Sequence, residues 1–203
     1  MKKFVFLHIP KTAGVSTFLT LQDLMLDMQG KWPHIPADCK ESVFFGHQTA
    51  WKMIQDGHIE KEYFDDAIIF CNIRNAWRRA VSAYFHFNME QKGFSFEEYL
   101  KQIPRDKDTY HHAREQTFWL RGFKHFWAIM LDGPIAQHLP VQMQFDDICR
   151  TIGIEPRKLR YENVGKNYSC TAAQMYERNP GTREQVEEIY QRDIAMFNQS
   201  FPF

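Results

Sequence analysis

The sequence predicts an α/β protein in which helices flank a central, mostly parallel sheet. Short apolar runs at 4–7, 42–47 and 67–73 alternate with helical patterns. Strands that are apolar throughout are typical of parallel sheets covered by helices on both faces. At 203 residues the chain is long enough to bury a hydrophobic core, and we interpret residues 1–203 as one domain.

Apolar periodicity, capping residues and turn residues predict where the elements begin and end. The apolar residues of the first helix begin at Phe18 and fade near Gly30. Ser95 and Glu98 are spaced like a capping box at the start of a later helix. Further helices are predicted at 50–56, 74–88 (after an initial turn), 96–102, 113–126, 145–152 and 182–198, and a further strand near 159–161.

Charge, cysteine spacing and hydropathy exclude several classes of protein. Lysine plus arginine and aspartate plus glutamate each number 25, so no nucleic-acid partner or charged membrane surface is indicated. The four cysteines form no C-x-x-C pair, which argues against a zinc site or a disulfide scaffold. No apolar run approaches the roughly 20 residues of a membrane helix, and no secretory signal is recognised. We therefore expect a soluble, cytoplasmic protein without an integral membrane segment.

The segment after the first strand has the composition of an anion-binding loop. Pro10 stiffens the turn, and Gly14 lets the backbone approach a ligand closely. Lys11 supplies an ammonium group, while Ser16 and Thr17 supply hydroxyls that can also cap the helix. A strand, a small-residue loop and a helix N-terminus together cradle a phosphate or similar anion. The lysine precedes the glycine, unlike in the nucleotide-triphosphate loop, and an ordinary strand-to-helix turn is the alternative.

A second anion site is predicted after the strand at 67–73. Arg74 lies at the carboxyl end of that strand, the edge at which open α/β sheets bind ligands. Ser82 follows on the next helix, and the intervening turn can bring its hydroxyl back towards the arginine. A guanidinium fork and a hydroxyl suit a terminal phosphate, although an arginine after a strand can equally be a surface charge. Two such sites predict a ligand with phosphate at both ends of a nucleoside.

His47 is the candidate general base. It ends the predicted strand at 42–47 and should point into the same cleft as the two anion sites. Histidine titrates near neutral pH, as a base that accepts a hydroxyl proton requires. The alternative is a partly buried histidine that is hydrogen-bonded to the backbone.

The first loop, His8-Ile-Pro-Lys-Thr-Ala-Gly14, resembles the Lys-Thr-Ala-Gly-Thr-Ser loop of the carbohydrate sulfotransferases. In that family the loop holds the 5′-phosphosulfate of 3′-phosphoadenosine 5′-phosphosulfate (PAPS), so the resemblance implies that PAPS binds here. The implied PAPS-binding residues are Lys11, Thr12, Ala13, Gly14, Val15, Ser16 and Thr17. Val15 replaces the usual threonine, which removes one hydroxyl contact and leaves the backbone cradle intact.

Residues 74–84 and the Gly46-His47 pair are similar to the same family. The first segment resembles the Arg-x-Pro-x-x-Arg-x-x-Ser-x-Tyr motif, which grips the 3′-phosphate of PAPS, with Ala76 in place of the proline. The matching residues are Arg74, Arg79, Ser82 and Tyr84. The Gly-His pair resembles that of the heparan O-sulfotransferases, whose histidine acts as base.

Two later segments also resemble the family. The stretch 111–116 is similar to the one that contacts the acceptor, with Glu115 where the family has proline. The similarity implies that His112 and Gln116 bind the acceptor, and a solvated helix start is the alternative. The polar segment 162–169 looks like the late loop that closes over the nucleotide. Lys166 in that loop is implied to reach the 3′-phosphate or the adenine edge. An ordinary polar connector is the alternative.

The resemblance covers nearly the full chain and implies a P-loop-like, three-layer, single-domain O-sulfotransferase. Such an enzyme moves the sulfuryl group of PAPS in line to a hydroxyl of a saccharide or glycoconjugate acceptor and needs no metal. Lys11 would stabilise the leaving phosphate, and the acceptor pocket is expected in 32–41 and 87–116. A small-molecule kinase and a non-catalytic PAPS-binding module are the alternatives. The kinase requires an acidic magnesium ligand at a strand end, and no predicted strand ends convincingly in one.

Overall fold

The computed structural model describes residues 2–27, 47–106, 108–160 and 168–202. Within these ranges, three strands form one parallel sheet in the order β1 (Phe4–Leu7), β2 (Ile68–Ile73), β3 (Trp127–Met130). The register pairs Leu7 with Cys71 and Ile73 with Met130, so the carboxyl ends of the strands share one edge. The predicted α/β class with a parallel sheet flanked by helices is therefore confirmed.

Helices occupy most of the remaining described chain. They are α1 (Gly14–Asp27), α2 (Ala50–Gln55), α3 (Lys61–Asp66), α4 (Ala76–His86), α5 (Phe96–Gln102), α6 (Gln116–Trp119), α7 (Pro134–His138), α8 (Val141–Ile152), α9 (Ala172–Arg178), α10 (Thr182–Ile189) and α11 (Gln191–Met196), with a 3₁₀ turn at His111–Ala113. The capping box of Ser95 and Glu98 is present at the start of α5. Of these helices, none is both long and apolar enough to cross a lipid bilayer.

Different helices cover the two faces of the sheet. Phe4 and Phe70 pack on one face with residues of α1 and α8. Val5 and Ile69 pack on the other face with residues of α2 and α6. This separation follows from the two-residue period of a strand, whose successive side chains point to opposite faces. A third cluster joins α4, α5, α9 and α10.

The stretch 113–130 differs most from the prediction. The helix predicted at 113–126 is wrong, because α6 ends at Trp119 and β3 begins at Trp127. Gly122 has a φ of +94°, a left-handed conformation that favours glycine and is incompatible with a continuing helix. The apolar run Trp127-Ala-Ile-Met130 forms β3, a strand that the sequence pattern does not predict.

The other differences concern element ends and one strand. The single helix predicted at 182–198 is wrong, since it divides at Tyr190, whose hydroxyl donates a hydrogen bond to the Ala113 carbonyl (2.7 Å). Residues 159–160 form no strand, because their backbone N–H groups donate to the side chains of Gln142 and Thr20. Of the strand predicted at 42–47, only His47 is among the described residues, where it lies in a bend.

Candidate functional site

The loop between β1 and α1 contains two residues in the left-handed region of φ. Lys11 has a φ of +66° and Ala13 a φ of +54°, a conformation in which few residues other than glycine occur. Left-handed residues in a short turn are typical of the concave backbone nests that bind anions. Ala13 is exposed, and Val15 and Ser16 are half-buried at the start of α1. The loop is therefore accessible to a ligand on the side formed by Ala13, Val15 and Ser16.

Asn72 of β2 fixes the shape of this loop. Its side-chain amide donates to the Thr12 carbonyl (3.1 Å) and to the Thr17 hydroxyl (2.8 Å), and all three residues are buried. The Thr12 hydroxyl in turn donates to the Ile9 carbonyl (2.8 Å). The hydroxyls of Thr12 and Thr17, both predicted as ligands, thus bind the protein itself in this structure. The sequence analysis does not single out Asn72. A lone amide in an apolar strand, two residues before Arg74, could have indicated its structural role.

Gly14 is required by a close approach of the His8 ring. A Cβ atom at position 14 would overlap the Cδ2 and Nε2 atoms of His8. Because His8 is itself buried, its ring has little room to move away. Gly14 therefore allows the loop to pack against the end of β1. This packing requires a glycine in addition to the close approach of a ligand that the sequence predicts.

Lys11 and Arg74, the cations of the two predicted anion sites, lie next to each other. Nη1 of Arg74 donates to the Lys11 carbonyl at 3.4 Å. Burial, together with the neighbouring charges of Arg74 and Arg79, lowers the pKa of Lys11 to about 8. The pKa of Arg74 is also lowered, chiefly by burial. A cluster of partly desolvated cations is an environment that an anion would stabilise.

The backbone of Arg74 is held by Gln116. The Gln116 side chain accepts from the Arg74 N–H and donates to the Arg74 carbonyl, both at 2.9 Å. Asp193 of α11 fixes Gln116 by accepting from its backbone N–H (2.7 Å) and its side-chain amide (3.3 Å). Gln116 is fully buried. In the described structure its amide therefore positions Arg74, and its binding of an acceptor stays a prediction.

Ser82 of α4 is buried and pairs with Tyr168. The two hydroxyl oxygens are 2.8 Å apart, and the Tyr168 ring stacks on Phe85 with 4.5 Å between centroids. Tyr168 also lies close enough to Arg74 to affect its pKa. Arg74 and Ser82 are thus both adjacent to one tyrosine. Lys166, predicted to reach the nucleotide, lies outside the described residues.

His47 is held in a defined tautomer. Its Nδ1 lies 2.7 Å from the His8 carbonyl, and since a carbonyl only accepts, Nδ1 carries the proton and Nε2 keeps its lone pair. Burial lowers the pKa of His47, although its backbone hydrogen bond opposes that shift. The ring centroids of His47 and His112 are 4.6 Å apart. His47 is therefore a neutral imidazole with a basic nitrogen, beside a residue predicted to bind the acceptor.

His47 belongs to a cluster of histidines. Nδ1 of His112 and Nε2 of His86 are 2.8 Å apart, and the ring centroids of His8 and His47 are separated by 4.4 Å. Burial is the main cause that lowers the pKa of His8 to about 3, of His112 to about 3 and of His86 to about 4. The cluster is thus neutral at physiological pH.

We expect this cluster to make the protein sensitive to acid. The ordinary histidine pKa is 6.5, so between pH 6.5 and about 4 the unfolded chain binds more protons than the folded chain. The free energy of unfolding must then fall as the pH falls. Urea unfolding between pH 7 and 4.5 should show a shallower pH dependence, by up to one proton, in His112→Gln than in wild type. His138→Gln, outside the cluster, is the control, and identical slopes in all three proteins would contradict the prediction.

Asp132 lies two residues beyond the end of β3, at the carboxyl edge of the sheet. Asp132 accepts from the Asn75 N–H at 2.5 Å. Its other oxygen is 4.0 Å from Nε of Arg74 and 3.8 Å from Nε of Arg78. Burial raises its pKa, against the effect of these partners. Within the described ranges no group of three or more histidine, cysteine or carboxylate side chains could hold a metal ion.

The chain has no match among protein-family models, curated proteins or solved structures. Lys11, His47, Arg74 and His112 are brought into one region, whereas the expected acceptor segment 32–41 lies outside the described residues.

Proposed function

We propose that this chain is a PAPS-dependent O-sulfotransferase, built as a single P-loop-like domain, that acts on a hydroxyl of a saccharide or glycoconjugate. The observation that carries the proposal is the meeting of Lys11 and Arg74, which are 63 positions apart in the chain. Two segments with the composition of anion sites lie side by side, which suits a ligand with a phosphosulfate at one end and a phosphate at the other. The resemblance of both segments to the carbohydrate sulfotransferases supports the same ligand.

The site residues suit such a ligand. The loop at Gly14 admits no side chain, and the left-handed backbone at Lys11 and Ala13 suits a nest for the 5′ anion. Arg74 and Ser82 would take the 3′-phosphate, the arginine by a charge-assisted fork. Tyr168 would then give up or share its hydrogen bond with Ser82.

His47 would act as general base. Its Nε2 would accept the proton of the acceptor hydroxyl while the oxygen forms a bond to sulfur. The bond from sulfur to the phosphate oxygen breaks, and its electron pair stays on the phosphate. Lys11, whose pKa of about 8 keeps it mostly protonated at pH 7, would stabilise that developing charge. The products are a sulfate ester and adenosine 3′,5′-bisphosphate, and His47 carries the proton.

The experiment is incubation with PAPS and a pool of nucleotide-linked and lipid-linked sugars, read by mass spectrometry. We expect release of adenosine 3′,5′-bisphosphate and an acceptor heavier by one sulfuryl group, without magnesium. His47→Gln should be slower by about 10²- to 10⁴-fold, the usual contribution of a general base, while binding of the bisphosphate is unchanged. His58→Gln, in the chain after α2, is the control.

Two outcomes of this assay would contradict the proposal. Magnesium-dependent consumption of ATP would favour the kinase. Tight binding of PAPS without transfer to any acceptor, and without an effect of His47→Gln, would favour a non-catalytic PAPS-binding module.

A further inference from the structure

Arg79 of α4 is a buried arginine that the proposed mechanism does not use. Only 1% of its surface is exposed. Its Nε donates to the Pro10 carbonyl (2.9 Å) and its Nη2 to the His112 carbonyl (3.0 Å), while Nη1 has no hydrogen-bond partner. The Arg79 guanidinium lies 5.8 Å from the ring centroid of Tyr190. No ion pair recorded between described residues includes Arg79.

These contacts differ from those that the sequence motif implies. In the motif, Arg79 stands between Arg74 and Ser82 and belongs to the grip on the 3′-phosphate. In the structure its nitrogens donate to two backbone carbonyls. One is that of Pro10, in the first anion loop between β1 and α1, and the other is that of His112, in the 3₁₀ turn at 111–113, here called the histidine turn. One side chain therefore links three segments: the first loop, α4 and the turn at 111–113.

Burying an arginine lowers the stability of the folded protein unless a negative charge lies nearby. A buried cation is normally paired, because removal from water costs several kcal/mol, and two carbonyls compensate only in part. The field of Arg79 reaches the site, since it is among the causes that lower the pKa of both Lys11 and His47. An anion bound beside Lys11 would offset the same charge.

We propose that Arg79 is a positioning residue that joins the first anion loop to the histidine turn and whose charge is balanced by the bound anion. It does this without contacting the anion. This inference rests on the proposed anion site but not on the identity of the nucleotide. Its consequence is that removing the charge of Arg79 weakens anion binding although Arg79 does not touch the anion.

The test compares wild type with Arg79→Gln and Arg79→Lys in thermal unfolding. The probes are inorganic sulfate, adenosine 3′,5′-bisphosphate and adenosine 5′-monophosphate. We expect sulfate to stabilise the wild type and to bind Arg79→Gln at least tenfold more weakly. Arg79→Lys, which keeps the charge, should recover most of the affinity. Arg150→Met, an exposed arginine on α8, is the control.

A second readout separates electrostatics from simple structural support. The titration of Lys11 is followed through its pH-dependent reaction with an amine-selective reagent, detected by mass spectrometry. Besides Arg79, the charged and titratable neighbours of Lys11 are Arg74 and the histidines of the cluster, His8, His47, His86 and His112. We expect the Lys11 midpoint to rise in Arg79→Gln and to stay near the wild-type value in Arg79→Lys.

Unchanged sulfate affinity together with an unchanged Lys11 midpoint in Arg79→Gln would overturn the inference. If Arg79→Gln does not fold, a shifted Lys11 midpoint in the charge-retaining Arg79→Lys would overturn it as well. Weaker sulfate binding in Arg79→Gln, with no preference of the wild type for the bisphosphate over the monophosphate, would sustain the inference and refute the proposed function.

Discussion

Gly14→Ala is expected to lower the free energy of unfolding by about 1–3 kcal/mol, the usual cost of overpacking a buried site. The new Cβ would overlap the imidazole of His8, which is buried between β1 and the loop. Moving that ring would disturb His47, whose ring lies 4.4 Å away and whose Nδ1 is bonded to the His8 carbonyl. We therefore expect Gly14→Ala to distort the loop, to weaken anion binding and to displace His47.

A double-mutant cycle makes this prediction specific. His8→Ala removes the ring and leaves the His8 carbonyl in place, so Gly14→Ala should cost much less in a His8→Ala background. Urea unfolding of the four proteins measures the coupling, and sulfate binding reports on the loop. Additive effects of the two substitutions, or a Gly14→Ala protein as stable as wild type, would show that the contact is unimportant.

Arg74→Ala should weaken binding of adenosine 3′,5′-bisphosphate by about 10- to 100-fold, as the loss of a charge-assisted hydrogen bond of about 1.5–3 kcal/mol requires. The backbone at position 74 should keep its shape, because the side chains of Gln116 and Gln199 bind the N–H and carbonyl groups of residue 74, which the substitution leaves in place. Affinity for adenosine 5′-monophosphate, which lacks the 3′-phosphate, should change little.

Arg78→Ala is the matched control for this variant. Arg78 and Arg74 lie at similar distances from the same carboxylate, Asp132, so each substitution removes one positive charge beside it. Calorimetric titration with both nucleotides should show a selective loss in Arg74→Ala alone. Equal losses in both variants, or for both nucleotides, would mean that only the overall positive charge matters.

The parts of the fold that local sequence patterns determine were predictable. β1, β2 and α5 are found where apolar runs and the Ser95–Glu98 capping box place them. β3 was not, because the aromatic-rich stretch before it has no clear period and its strand is defined only by pairing with β2. The break falls at Tyr190, whose hydroxyl bonds the carbonyl of Ala113, 77 residues away, a contact that no local pattern contains.

The candidate site divides in the same way. Lys11, Arg74 and His47 could be picked out because short motifs around them have a recognisable composition. The groups that hold them could not, because Asn72, Gln116 and Arg79 acquire their partners only when distant segments meet. The hydroxyls of Thr12 and Thr17 show the limit most clearly: the sequence indicates ligands, and the structure gives them partners within the protein.

The proposed function is tested most directly by the preference of the wild-type protein for a 3′-phosphate. Calorimetric titrations with adenosine 3′,5′-bisphosphate, adenosine 5′-monophosphate and ATP, at one salt concentration, measure it. We predict that the bisphosphate binds at least tenfold more tightly than either other nucleotide, and that this advantage disappears in Arg74→Ala. Equal affinity for the bisphosphate and the monophosphate, or tighter binding of ATP in the presence of magnesium, would contradict a PAPS site.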